Sequence, residues 1–192
     1  MQPAEIDETL RAGEMPREYA ERLARKKALT VSRERPHEWV LGADTIVVVN
    51  NAILGKPVDG ADAVRMLRLL SGRKHAVITG VCLVEAGARG KGPEVSEDIP
   101  YAGSPSRLYH ILRTENRELR TGAETTLVTM NELSDEEIRE YVATGEPMDK
   151  AGAYAIQGMA SRWIPRIEGD YSNVVGLPVA LVYRMLQGVG GI

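Results

Sequence analysis

Val40-Leu41-Gly42-Ala43-Asp44-Thr45-Ile46-Val47-Val48-Val49 is an apolar run, rich in valine, with one carboxylate set inside it. Such a density of β-branched residues predicts a buried strand, placed here from Trp39 to Asn50. Asn50-Asn51 then turns the chain into Ala52-Ile53-Leu54, and Gly55-Lys56-Pro57 follows as a loop. Beyond it, a helix is expected from about Gly60 to Leu70, with Val64, Leu67 and Leu70 on one side and Gly72 at its end. His75 to Val84 predicts a second long strand, interrupted at Thr79-Gly80. On the N-terminal side, a helix is expected from about Pro16 to Leu29, proline being tolerated in a first turn. Its stripe is Tyr19, Ala20, Leu23, Ala24, Lys27 and Ala28. By periodicity alone, Lys27 reads as a side chain whose stem covers core while its ammonium reaches water.

From about Ala86 to Glu118 periodicity gives way to Gly, Pro, Arg and Ser, the pattern of a flexible surface insertion. A strand resumes at about Glu124 to Met130. Ser134-Asp135-Glu136-Glu137 is a capping box that opens a helix ending at Gly145. Two short strands are expected between Ala151 and Ile167, close enough for a hairpin, and a closing helix from near Pro178 to near Gln187. Strands alternating with helices imply an α/β fold: a mixed, twisted sheet with helices on both sides, in one domain spanning 1–192 with an insertion at about 86–118.

Composition narrows the function classes. With 43% hydrophobic and 27% charged residues in 192, the chain has the makeup of a globular domain able to bury a core. Net charge is −3, phenylalanine is absent and no aromatic-rich strand motif occurs, which argues against nucleic acid as a partner. Cys82 is the single cysteine, which excludes an internal disulfide and a cysteine-based zinc site and suits a reducing cytoplasmic location. No signal peptide is evident, and no apolar run approaches the roughly 20 residues that span a bilayer.

Asp44 is the most informative residue. Aspartate is a poor strand former and is rarely buried without compensation. A carboxylate here needs a metal, an arginine, several backbone donors or a bond to a neighbouring turn. Gly42 and Ala43 beside it let a second backbone or a ligand approach closely. Lys56 stands in a stiff loop, and Asp149-Lys150-Ala151-Gly152 adds a second lysine amid small residues. Gln157, between Ile156 and Gly158, could read a base edge or satisfy backbone groups. Glu168-Gly169-Asp170-Tyr171-Ser172-Asn173 reads as turn and helix-cap chemistry. The chain has no P-loop, no dinucleotide fingerprint, no histidine at metal-ligand spacing and no serine nucleophile elbow.

Taken in order, the blocks Ile6-Asp7-Glu8-Thr9, Leu23-Ala24-Arg25-Lys26-Lys27-Ala28, Gly42-Ala43-Asp44-Thr45, Leu54-Gly55-Lys56-Pro57 and Leu70-Ser71-Gly72-Arg73 resemble the Maf proteins. So do Thr79-Gly80-Val81, the segment from Gly145 to Gly152, Ile156-Gln157-Gly158 and the segment from Asp170 to Pro178. The resemblance runs from about Ile6 to Gln187, outside the insertion. It implies the Maf, ITPase-like form of the α/β fold and hydrolysis of nucleoside triphosphates to the monophosphate and pyrophosphate. It further implies that Asp44 matches the family's proton acceptor and that Glu8 matches a carboxylate near a Mg²⁺ or Mn²⁺ ion, with Asp44 sharing that metal. Lys27, Lys56 and Lys150 match positions suited to phosphate oxygens, with Lys56 counted among the catalytic groups. Thr45 and Gln157 look like the branch that prefers dTTP and UTP, and a homodimer is expected by the same resemblance.

One departure stands at the front. Family members begin with a strand ending in Ser-x-Arg-Arg, whereas no Arg-Arg pair occurs anywhere in this chain. The first family strand is missing here, so the expectation is that the assigned start is too late or that the strand was lost. Lysines do not fully replace arginine forks at a phosphate. The alternative is therefore a weakly active or inactive nucleotide-binding regulator of cell division.

Overall fold

The computed structural model describes residues 4–86, 109–113 and 117–187. In chain order its elements are α1 (Pro16–Glu34), β1 (Val40–Val49), β2 (Ala52–Leu54), α2 (Gly60–Leu70), β3 (Lys74–Val84), β4 (His110–Arg113), β5 (Glu118–Thr129), α3 (Asp135–Ala143), β6 (Arg166–Glu168), α4 (Tyr171–Val175) and α5 (Val179–Gln187). This is an α/β fold whose strands follow the order β2-β1-β3-β5-β4, with β6 also paired to β5. The pairings β1–β2, β4–β5 and β5–β6 are antiparallel. The chain divides into two compact units, one of Met1–Asp44, Gly80–Ala123 and Val179–Ile192, the other of Thr45–Thr79 and Glu124–Pro178.

In the first unit, the β period of two sorts the end of β3 onto two helices. Cys82 and Val84 pack with Ala24, Ala28 and Leu29 of α1. Val81 and Leu83, one residue out of phase, pack with Leu181, Val182 and Met185 of α5. A helix therefore covers each face, as the sequence pattern predicts. α1 runs past Leu29 to Glu34 because Ser32 continues the buried side, and it stops just before Pro36. β3 passes through Thr79-Gly80 without the expected interruption. Gly80 is there for space: a Cβ would overlap the backbone of Ala20 and Glu21 in α1. Gly42 serves α1 likewise, since a Cβ would lie 2.5 Å from the Ala24 carbonyl oxygen. The close approach allowed by Gly42 is thus used by a second backbone.

The second unit is built around Val47, Val49 and Leu54 of the β1–β2 hairpin. They pack with Leu67 and Leu70 of α2, Ile138 and Tyr141 of α3, and Trp163. Asn50 and Asn51 take left-handed φ values of 49° and 63°, which suits a two-residue hairpin turn. α2 has the predicted bounds, and Ser134 and Glu137 form the predicted capping box of α3. Of the two strands expected between Ala151 and Ile167, one is found at the end of that segment, as β6, and the hairpin is not formed. Short 3-10 turns occupy Glu146–Asp149, Ala151–Ala153 and Met159–Trp163, and β6 pairs with β5 instead of a hairpin partner. Gly152 and Ala153 lie at φ 69° and 59°, and a left-handed pair of this kind cannot continue a strand. Within the predicted insertion, 110–113 form β4 and β5 begins at Glu118; residues 87–108 and 114–116 fall outside the described residues.

His75 is buried in this second unit, with Nε2 2.8 Å from the Tyr154 hydroxyl. Burial pushes its pKa down from 6.5 to about 4. The unfolded chain takes up this proton below pH 6.5 and the folded chain resists it, so the stability involved is complete above pH 6.5 and is lost as pH falls toward 4. By pH 5 the loss should reach about 2 kcal/mol. Urea titrations at pH 7 and pH 5 should show that His75→Gln loses correspondingly less stability over this interval; equal losses in both proteins would contradict it.

Candidate active site

The first unit gathers three of the predicted site residues. Lys27 Nζ lies 2.5 Å from Asp44 Oδ1 and 2.9 Å from Glu8 Oε1. Gly42 draws α1 onto β1, and Lys27, on α1, then reaches the aspartate two residues further along the strand. The Asp44 side chain is 10% exposed, Lys27 26% and Glu8 55%, so the charges run from the strand interior out to water. Burial opposes the charged form of Lys27, but the hydrogen bonds and charges of Asp44 and then Glu8 outweigh it and hold its pKa above the ordinary lysine value. Periodicity sends this ammonium to water; the structure sends it to two carboxylates.

Glu8 lies outside any regular element and is held by α1. Tyr19 Oη donates to the Glu8 carbonyl at 2.6 Å, and Arg22 donates to the Thr9 carbonyl at 3.0 Å while pairing with Glu14. Sequence reasoning missed both anchors. Their spacing of three on one helix face was the available signal.

The second unit carries the other predicted residues. Thr45 Oγ1 is 2.9 Å from Thr79 Oγ1, and Thr79 donates its hydrogen to the Asn173 carbonyl at 3.0 Å. A hydroxyl has one hydrogen, so Thr45 must be the donor to Thr79, and its own oxygen remains an acceptor. Asn173 is in turn fixed by donating to Val77 O and Thr126 Oγ1. Asp170 caps α4 by accepting from the Ser172 N–H, as the polar-turn reading expects.

Lys56 is exposed in the loop before α2, and that loop is tied down because Gly152 N–H donates to the Gly55 carbonyl at 2.9 Å. Lys150 pairs with Asp149 at 2.9 Å. The hydrogen bond from Lys150, and more weakly the charge of Lys56, hold the Asp149 carboxyl below its usual value, so one acidic side chain feels both lysines. Asp149 is a further residue that the sequence reading did not single out. Gln157 is exposed on a turn closed by Gly158 N–H donating to the Ala155 carbonyl at 3.0 Å.

Glu8 and Asp44 converge on a single cation, the ammonium of Lys27. Two carboxylate donors that can face one positive centre suit a hard divalent ion that retains water and takes its remaining ligands from phosphate oxygens. Among the described residues no group of three or more His, Cys, Asp or Glu side chains is placed to hold a metal, so a cage made wholly by protein is not offered here. Glu8 and Asp44 are the residues that would hold such an ion.

Residues 1–189 match the family described as Maf-like protein. Among curated relatives, the "dTTP/UTP pyrophosphatase" of Koribacter versatilis is 51% identical over 190 residues, covering 99% of this chain and 83% of the relative. The protein of the same name from Syntrophomonas wolfei is 46% identical, with 98% and 85% covered, and that from Geobacter sulfurreducens is 44% identical, with 98% and 84% covered.

Proposed function

The chain belongs to the Maf family, and from this we propose that it hydrolyses nucleoside triphosphates, dTTP and UTP in preference, to the monophosphate and pyrophosphate. The observation that carries the reading is the Glu8–Lys27–Asp44 arrangement, a largely buried aspartate paired with a lysine and facing the same point as a second carboxylate. Asp44 orients the attacking water and accepts its proton as the bond between the α- and β-phosphates breaks and pyrophosphate departs. A Mg²⁺ or Mn²⁺ ion, when held by Glu8 and Asp44, supplies charge neutralisation at the phosphates and a lower pKa for water. Lys27 pairs with both carboxylates and aims them at one point. Lys56 and Lys150 meet the negative charge of the phosphate chain, Lys150 turning from Asp149 to do so.

Base preference follows from hydrogen-bond matching. Thymine and uracil present an N3–H donor where cytosine presents an acceptor. Thr45, whose hydrogen is committed to Thr79, offers an acceptor, which suits the first two bases and opposes the third. The exposed amide of Gln157 supplies a donor and an acceptor in one side chain. Among the described residues no helix is long and apolar enough to cross a membrane. A cytoplasmic location agrees with Cys82, a buried free thiol that burial pushes up to about 11 and so keeps protonated. A homodimer that does not bind nucleic acid completes the reading.

Purified protein incubated with dTTP, UTP and CTP in Mg²⁺ or Mn²⁺ should release one pyrophosphate per monophosphate. Release should be fastest with dTTP and UTP and should stop on chelation of the metal. Binding of dTTP without release of pyrophosphate would favour the regulator instead, and release of orthophosphate would contradict the reaction.

A further inference from the structure

The turn that carries Gln157 is clamped at both ends by one pair of side chains. Ala155 N–H donates to the Tyr141 hydroxyl at 3.1 Å, and Met159 N–H donates to Glu146 Oε1 at 3.0 Å. The two clamping groups are joined, because the Tyr141 hydroxyl donates to the same Glu146 oxygen at 2.8 Å. Burial, with the neighbouring Glu146 carboxylate, holds the Tyr141 phenol above its ordinary pKa, so it remains a donor across the working range. Tyr141 is itself immobile: it is fully buried in the core and packs edge-on against Trp163 with ring centroids 5.3 Å apart. The Glu146 carboxylate also fills the space beside Gly158, where a Cβ would overlap it. The turn that carries Gln157 is therefore held at one end by the Tyr141 hydroxyl and at the other by the Glu146 carboxylate, which is itself bonded to Tyr141 of α3.

We infer that Glu146 is the positioning residue for Gln157, and that through the turn 155–158 it sets the preference for thymine and uracil without touching the nucleotide. The inference rests on Gln157 being a base-contacting residue. A glutamine amide discriminates only if its donor and acceptor are held in register with the base edge, and a displaced turn leaves the partner groups unpaired. Glu146 holds that turn by accepting an N–H on its far side while Tyr141 accepts one on its near side. The Tyr141 hydroxyl and the Glu146 carboxylate, bonded to each other, share the two links between them.

The test compares kcat and KM for dTTP, UTP and CTP in Glu146→Ala, Glu146→Gln, Gln157→Ala and the double variant Glu146→Ala/Gln157→Ala. Glu146→Ala should lose about tenfold of the dTTP-over-CTP preference, mainly through KM for dTTP. Glu146→Gln should recover most of it, because its amide oxygen still accepts from Met159 N–H and Tyr141 Oη. The double variant should be no less selective than Gln157→Ala, since the two residues act on one contact. Wild-type selectivity in a folded Glu146→Ala, with selectivity lost in Gln157→Ala, overturns the positioning role while leaving Gln157 as the base reader. Unchanged selectivity in Gln157→Ala overturns both. A uniform loss of kcat for all nucleotides in Glu146→Ala, with a lowered melting temperature, marks a merely structural carboxylate and also overturns it. If Glu146→Ala does not fold, Tyr141→Phe, which deletes the shared hydroxyl, should shift the same preference in the same direction, and its failure to do so counts against the proposal.

Discussion

Asp44→Asn should lower the turnover of dTTP by about a thousandfold or more while the protein stays folded. The substitution keeps the shape of the side chain and its place in β1, but removes the proton acceptor and a unit of negative charge. Positioned proton transfer is worth roughly a hundred- to ten-thousandfold in rate, and the same change weakens any divalent ion shared with Glu8. Folding should survive because Lys27 does not become an orphan: it keeps Glu8 at 2.9 Å, and its side chain remains 26% exposed. Steady-state kinetics with a thermal melt on the same preparation checks both halves. A variant that is inactive because it is unfolded would not support the assignment, and a folded variant with wild-type turnover would refute it.

Gly80→Ala should be the most damaging single methyl group among the described residues, costing about 4 kcal/mol or preventing folding altogether. Overpacking a core usually costs about 1–3 kcal/mol because side chains can rotate away from the added group. Here the obstruction is backbone, the carbonyl of Ala20 and the amide nitrogen of Glu21, and no rotamer change relieves it. α1 would have to lift from β3, exposing Ala20, Leu23 and Ala24, each fully buried. The same displacement would carry Lys27 away from Asp44. Gly55→Ala is the matched control, since a Cβ there meets nothing within 4 Å, and its effect on stability should be about 0.5 kcal/mol or less. Urea denaturation of the pair measures the difference. Equal stabilities would mean that the contact between α1 and β3 is looser than described.

Much of this was legible in the residues, and the gaps have physical causes. α2 and the start of α3 follow from local chemistry, the apolar spacing of Leu67 and Leu70 and the reciprocal bonds of Ser134 and Glu137, so their limits could be read directly. Thr79-Gly80 looked like a break because glycine weakens strands, yet the residue answers to a helix lying on it, which no local pattern reveals. The segment from Ala151 to Ile167 misled for the opposite reason: its short apolar stretches suit strands, while the left-handed backbone at Gly152 and Ala153 can be seen only in the fold. At the site, Asp44 announced itself, because a carboxylate in an apolar strand needs compensation. The compensating group did not. A lysine counted as core-covering stem met the requirement from 17 residues away, and the tether that brings Glu8 to it depends on Tyr19, which hydropathy had assigned to the packed stripe.

Manganese binding tests the central claim, that the Asp44 carboxylate is placed in β1 to meet a divalent cation together with a polyphosphate. Mn²⁺ would be titrated, with detection by electron paramagnetic resonance, into wild-type protein and Asp44→Asn, each with a dTTP analogue whose α,β bridge resists cleavage. The wild type should bind Mn²⁺ in the presence of the analogue, and Asp44→Asn should bind it at least about tenfold more weakly. Equal Mn²⁺ affinity in the two folded proteins would show that the carboxylate of Asp44 serves only its ion pair with Lys27, and the catalytic role assigned to it would be wrong.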